Sequence, residues 1–580
     1  MRSNYMKNQT YFQMRAYFYS REENQSVTFK LKELESLWFC TQKNVKRKLQ
    51  QFANEKKLIY IPGKGRGNPS QIEFHCSFQQ EIEAEVLNLI QYDKLEDVIF
   101  LLQLPIPKNW ITNVSKEVQT LFGIHVSEHK RDTLRTIYTR KLTTLDPLYT
   151  SITFETFLIH QLGDSLITYD KENDSLQPHL AHTWEGEAEN KVWTFHLRKG
   201  VRFHNGHVLT SEDVKYTFER FLTRPTSPHY WFVEDIEEID CLSPFTVCFK
   251  LRRSNPLFPR YMSSLNLAIL PINEPFDENK WIGTGPFRIK KRTDTTLVLQ
   301  AFDDYFLARP LLDEIEIYRM SPDTTNSMSY EINKTETSNT HLHKQDIEVG
   351  FHFLAFNFHR DTIVQNASFR EAIYHLMDTK KLWTDLGRSN LQESSSYFFW
   401  KSKPQPKNQG YVKTLLKKAG YNGELITVYT LKKQNYMEDA DWFKKEAIKV
   451  GVHLNIKTFT LDEYYDPFLE DADLLFMGEA ASTDYHLSFI GTFLNKASIF
   501  NRFFSLEQLD ILNIHFENIK HAETSADREF WIEKAESYIR EENLFLFLYH
   551  PIKNRTFHPM IKDIQFESFG YVDFRKLWIK

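Results

Sequence analysis

The sequence predicts a multidomain α/β protein, a small N-terminal winged helix-turn-helix followed by a much larger part of mixed strands and helices. Three observations carry this. Its 580 residues suffice for about four domains on the usual length prior. A helix, a turn, a second helix and a glycine-tipped hairpin follow one another between residues 29 and 75. From Thr133 onward strands alternate with helices across many short turns. With 41% hydrophobic and 15% aromatic residues the chain fills several cores, so disorder is not expected.

The N-terminal elements are read from spacing. In FKLKELESLWF the apolar Leu31, Leu34, Leu37 and Trp38 recur at the helical period and define one buried face. Cys40 and Thr41 make the turn, and Thr41 stands where it caps the next helix. TQKNVKRKLQQFANEK then buries Val45, Leu49, Phe52 and Ala53, leaving Gln42, Lys43, Asn44, Lys46, Arg47 and Gln50 on the opposite face. LIYIP and SQIEFH read as strands on either side of GKGRGN. That loop is not a nucleotide-binding P-loop, because Gly67 leads to Asn68, Pro69 and Ser70 rather than to a Lys-Ser/Thr pair and a helix.

Charge gives these elements a function. Between Lys30 and Arg66 stand ten Lys and Arg against three Glu, a local +7 in a chain whose net charge is −5. Such asymmetry points to one small segment that meets a polyanion. A helix fits the major groove and reads bases with residues near its N-terminal end, while cations elsewhere hold phosphate. The expected DNA contacts are therefore Gln42, Lys43, Asn44, Lys46 and Arg47 on the second helix and Lys64 and Arg66 on the wing. The competing reading is an ordinary small domain with solvated charges. The segment QQEIEAEVLNLIQYDKLEDVIFLLQLPIP reads as helical, a linker or the seat of a homodimer.

Several classes are excluded. No run of about 18 apolar residues exists, so no membrane span is expected. The N-terminus lacks an apolar h-region and a small-residue cleavage site, which predicts a cytoplasmic protein. Four cysteines form no CxxC pair, and Cys241 and Cys248 read as core filler in a strand. His125 and His129 stand four apart without an evident third ligand, HLH at 341–343 is weaker still, and no GxSxG or HExxH occurs. Neither catalysis nor a cofactor or metal is expected.

In the large C-terminal part, WTFHLR reads as a strand and KGVRFHNGH as a turn, and Thr210 or Ser211 caps a helix with Val214, Phe218 and Phe221 on one face. These passages, with TLDPLYTSITFETFLIHQLGDSLITYD before them and GTGPFRIKK, FLAFNFHR and KEAIKVGVHLNIK after, resemble the family 5 solute-binding proteins of peptide and nickel importers, from about residue 131 to 580. Joined to a winged helix, and with FDDYFLARPLLDEIEIY, the layout resembles the SgrR-type transcriptional regulators. The resemblance implies a two-lobed periplasmic-binding-protein-like fold of type II that closes on a small molecule, a peptide or a sugar or sugar phosphate. Expected boundaries are 1–112 for the DNA-binding part with its helical extension, 113–130 for a linker and 131–580 for the sensor, with 350–500 forming most of one lobe.

One ligand site is carried over from the resemblance. Peptide-binding members hold a ligand's amino terminus with an Asp-Tyr pair before a helix, and STDYHLSFIGTFLN places Asp484 and Tyr485 there. The alternative is that Asp484 only caps the helix carrying Leu487 and Ile490. Trp400 and Trp231 are candidate cleft walls, with core packing as the plainer reading. The functional expectation is a ligand-responsive regulator that binds double-stranded DNA. Its rivals are the extracellular receptor of a peptide importer and a cytoplasmic peptide-binding chaperone.

Overall fold

The computed structural model describes all residues except 1, 65–67, 115–116, 119–120, 127–130, 322–341, 348, 390, 558–560, 563–570 and 580. The chain forms two compact units, one of residues 1–140, 291–298 and 314–339, the other of 141–290, 299–313 and 340–580.

In the first unit the elements run α1 (Arg2–Phe18), β1 (Ser26–Phe29), α2 (Leu31–Trp38), α3 (Gln42–Asn54), β2 (Leu58–Ile61), β3 (Ser70–Phe74), α4 (Phe78–Gln91) and α5 (Leu95–Leu102). The three strands form one antiparallel sheet in the order β1-β3-β2, so α2, the turn, α3 and a hairpin follow in the order the periodicity predicts. Leu34, Trp38, Val45, Leu49 and Phe52 are buried, while Ala53 is half-buried near the end of α3. Thr41 occupies the N-cap of α3 in extended conformation, but its side chain makes no capping hydrogen bond. Arg15 of α1 lies fully buried beside this core, with its guanidinium 3.7 Å from the Phe74 ring centroid, 3.0 Å from Glu81 and 3.1 Å from Glu22.

This unit does not end with the helices. Strand Asp132–Tyr138 pairs in parallel with Glu314–Arg319 and antiparallel with Gly123–Val126. Tyr318 and Met320 join the hydrophobic core of α1 to α5. Arg135 grips Asp93 at 2.6 and 2.7 Å and Glu316 at 2.8 Å, and the Gln103 amide donates to the Arg319 carbonyl at 2.6 Å. The boundary between compact units thus falls after residue 140, not inside the expected linker at 113–130. Apolar contact and buried charge bind these strands to the helices.

The second unit contains two larger sheets. One is antiparallel and four-stranded, in the order Ile236–Ser243, Thr246–Leu251, Val192–Leu197, Ala181–Glu187. Helix Ser211–Leu222 packs on it through Val214, Phe218 and Phe221, and starts at Thr210, whose backbone N–H donates to Asp213 at 2.8 Å. The other sheet has seven strands. Its center is Gly350–Phe356, buried at every residue, as the apolar run GFHFLAF requires of a strand covered on both faces. Leu474–Ala480 flanks it antiparallel, and the parallel neighbors Leu425–Leu431 and His453–Phe459 are joined across helix Gln434–Lys449. Segment 350–500 supplies most of these strands, and Phe545–Phe557, beyond it, pairs with Gly350–Phe356. One hydrophobic cluster runs from Trp193 and Tyr261 to Phe351 and Phe500, so the two sheets share a core.

Candidate nucleic-acid interface and ligand site

The α3 face in the first unit is built by its own amphipathicity. Burial of Val45, Leu49 and Phe52 turns Gln42, Lys43, Lys46 and Arg47 outward and exposed, with Asn44 half-buried at the edge. The Gln42 amide is not free, since it donates to Glu35 at 3.0 Å. Lys48 folds back over Trp38, its Nζ 5.0 Å from the ring, and takes no part in the outward face. Phe39, in the turn, adopts a left-handed conformation (φ 46°) and is 95% exposed. Lys64 is exposed beside the hairpin, and its carbonyl accepts from the Asn68 amide. Arg66 lies outside the described residues, as do His129 and His341.

Around Asp484, the candidate ligand contact in the second unit, the structure gathers Arg260, Asp174 and Arg528. Asp484 is the N-cap of helix Tyr485–Leu494, and its Oδ1 accepts from the Leu487 amide at 3.0 Å. The same carboxylate takes two nitrogens of Arg260, Nε to Oδ2 at 2.6 Å and Nη2 to Oδ1 at 2.7 Å. Arg260 Nη1 reaches Asp174 at 3.0 Å, and the other oxygen of Asp174 accepts from Arg528 at 3.1 Å. Arg528 Nε in turn donates to His486 Nδ1 at 3.3 Å.

The electrostatics follow from this crowding. Burial opposes the charge of Arg260, but Asp484 outweighs it and holds the guanidinium above its ordinary value. Burial opposes ionisation of Asp174 too, yet the Tyr169 hydroxyl and the two arginines hold its carboxyl below the usual range. Burial pushes Arg528 down, aided by the charge of Arg260. Burial also drives His486 down to about 4, so it is neutral at physiological pH.

Tyr485 and Trp400 do come together, ring centroids 5.3 Å apart, with Trp400 48% exposed. Trp231 is buried instead, stacked on Phe232 at 3.9 Å and pressed against Gly491, where an added Cβ would stand 3.2 Å from the indole. It packs as core. His204 of the FHNGH turn meets the Gly285 carbonyl at 3.0 Å and is pushed down to about 4 by burial, a structural role. Among the described residues no group of three or more His, Cys, Asp or Glu fits a metal ion, and no helix is long and apolar enough to cross a membrane. Arg260, Asp174 and Arg528 carry no signal in the sequence. No local pattern marks them, because their partners lie 86 to 354 residues away.

Residues 175–501 match the family described as bacterial extracellular solute-binding proteins, family 5 Middle. The chain belongs to that family. Residues 7–122 match the family described as sugar transport-related sRNA regulator N-term, which makes the membership one of the SgrR type, a regulatory N-terminal domain fused to a solute-binding-like domain. The HTH-type transcriptional regulator SgrR of Yersinia enterocolitica is 24% identical over 565 residues, covering 94% of each chain. An uncharacterized protein, YhjP of Bacillus subtilis, is 27% identical over 567 residues, 96% of this chain and 97% of that one.

Solved structures share the fold. The dipeptide binding protein from Pseudoalteromonas in complex with Met-Leu has a TM-score of 0.68 at 19% identity, covering 77% of this chain and all of that one. The oligopeptide-binding protein AppA from Bacillus subtilis, in complex with a nonapeptide, has a TM-score of 0.66 at 18% identity over 77% of this chain and 99% of its own. The SgrR-type family is one of transcriptional regulators with a solute-binding-like sensing domain, not a family of enzymes.

Proposed function

We propose that this SgrR-type regulator acts in the cytoplasm, binds double-stranded DNA through α3 and the hairpin that follows it, and answers to a small solute bound by its C-terminal domain. The winged helix within residues 1–112 is the DNA reader. One observation carries the reading: the exposed face of α3 presents Gln42, Lys43, Lys46 and Arg47 in its first two turns, with Asn44 at the edge and Gln50 beyond, in the segment that matches the regulator family. Lys43, Lys46, Arg47, Lys64 and Arg66 hold phosphate, and Gln42 and Asn44 present amides that pair with an adenine edge. The solute is a peptide, as in the neighbors crystallized with peptides, or a sugar or sugar phosphate, with Tyr485 and Trp400 as an aromatic wall beside Asp484. Recognition as a homodimer suits a reader of paired half-sites. An importer receptor shares the fold but leaves the cationic face of α3 without a role.

Ligand and DNA affect each other only through a difference in ligand affinity between two states of the protein, and such couplings amount to about 1 to 3 kcal/mol. The test is to sequence DNA that co-purifies with the full chain from cells, then to measure gel shifts on the recovered sites at several salt concentrations. Affinity is expected to fall steeply as salt rises, because bound cations release counterions. Failure to retain any duplex at low salt overturns the reading.

A further inference from the structure

The carboxylate expected to meet a ligand is already taken. Asp484 has about four acceptor positions, and three are filled, two by Arg260 and one by the Leu487 amide. Arg260 is 7% exposed and Asp484 is 4% exposed, so neither exchanges its partner for water. The pair also joins the two sheets. Arg260 sits in the short helix Phe258–Tyr261 that follows the four-stranded sheet, while Asp484 lies just beyond strand Leu474–Ala480 of the seven-stranded one.

Other contacts cross beside it. Asn495 donates to Ser151 at 3.0 Å, Lys520 meets Glu234 at 3.3 Å, and Trp231 lies against Gly491. The two sheets are therefore held together by side chains of the chain itself. Arg260 is fixed on its free side as well, by Asp174 and by the Tyr169 ring, 4.4 Å from its guanidinium carbon.

We propose that Arg260 is the specificity-determining residue of the sensor, an internal cation that occupies Asp484 and makes the site refuse ligands anchored by an ammonium group. This rests on the reading that Asp484 faces the ligand. An ammonium offers a point charge, whereas the guanidinium makes two parallel bonds in a fixed fork, so a free amine does not displace it. The ligand then binds through its neutral or anionic groups.

The experiment compares the full chain and its Arg260→Ala variant in two ways. First, thermal melts are recorded with millimolar guanidinium or methylammonium chloride. The variant should be stabilised saturably by these cations as they refill the vacated position, and the wild type should not. A double variant, Arg260→Ala with Asp484→Asn, should lose the response. No saturable stabilisation of Arg260→Ala, or an equal response in the wild type, overturns the proposal. Should Arg260→Ala fail to fold, Arg260→Gln, which keeps bulk and one donor, carries the same test.

Second, trialanine and N-acetyl-trialanine are titrated by calorimetry. Arg260→Ala should bind trialanine at least about tenfold more tightly than the acetylated peptide, the discrimination of one charge-assisted contact. The wild type should show no such preference. Cation rescue without a gain for trialanine overturns the specificity claim, because Asp484 would then not face the ligand. The DNA-binding reading would survive that result, since gel shifts test it separately.

Discussion

Each compact unit buries an arginine between carboxylates, and the two clusters behave differently. Arg15 is enclosed by Glu22 and Glu81, and Tyr11 also donates to Glu81 at 2.8 Å. All four residues come from the first 81, and they tie α1 to α4. Arg260 is instead shared by Asp174 and Asp484, elements drawn from across the second unit. In the first cluster burial raises both Glu22 and Glu81 despite the nearby guanidinium, so the carboxyls resist ionisation. In the second the carboxyl of Asp174 is held down and the strain falls on the bases, Arg528 and His486. One cluster sets two carboxyls against one guanidinium, and the other balances two carboxylates with two guanidiniums beside a neutral imidazole. Both clusters hold, the first across neighboring helices and the second across the two sheets of its unit.

The largest expected effect breaks the first cluster. Arg15→Ala leaves two half-buried carboxyls without their cation, and the loss should approach about 3 to 5 kcal/mol, the cost of removing one member of a fully buried pair. Because Glu22 and Glu81 have raised values, their unfavorable ionisation grows as pH rises, so the loss should shrink on acidification. Melts of wild type and variant at neutral and mildly acidic pH check both the size and the direction. A loss independent of pH would show that packing against Phe74, not charge, makes Arg15 necessary.

The second cluster should respond to acid in the opposite sense. His486 is lowered from about 6.5 to about 4, so its contribution to stability is intact above about pH 6.5 and is lost as pH falls toward 4. At pH 5 this amounts to about 2 kcal/mol. His486→Asn, which does not titrate there, should flatten the acid limb of the melting curve by that amount. Acid therefore relieves one cluster and strains the other. Equal slopes in wild type and variant would end the contrast.

The same difference governs what the sequence discloses. The α3 face was legible because helical period is local: Val45, Leu49 and Phe52 are buried as spaced, and the cations stand opposite. The hairpin, the start of the helix after Thr210 and the buried strand at Gly350–Phe356 were legible for like reasons. Arg260 was not, since nothing near residue 260 tells that residue 484 will meet it. Nor was the junction of the first unit, where Tyr318 and Met320 join a core formed some 200 residues earlier. Thr41 shows the limit of even local rules: the position is right, and its hydroxyl makes no capping bond.

Surface charge offers gentler tests of the proposed DNA reader. Arg47→Ala or Lys64→Ala should weaken binding to all sequences alike and lower the salt slope by about 1, as one phosphate contact does. Both side chains are exposed, so folding should be untouched. Gel shifts on specific and random duplexes separate this from loss of sequence preference. If either substitution changes preference without changing the salt slope, that residue reads bases.

The smallest effect concerns Glu35, and it distinguishes a poised base-reading amide from a merely satisfied one. Glu35 holds the Gln42 amide at 3.0 Å and sets a negative charge at the N-terminal end of α3, where DNA would dock. Glu35→Gln removes that charge but keeps an acceptor for Gln42. Binding should then strengthen for every sequence by a few-fold, the scale of an exposed charge interaction, about 0.2 to 1 kcal/mol. Sequence preference should stay as it was. Gln42→Ala should do the reverse, blurring preference at one base position by about 1 to 3 kcal/mol while leaving the salt slope unchanged. Anisotropy titrations of both variants against a matched and a mismatched duplex read the two outcomes together. Should Glu35→Gln shift preference as Gln42→Ala does, the carboxylate is part of the reading surface, positioning Gln42 rather than restraining it.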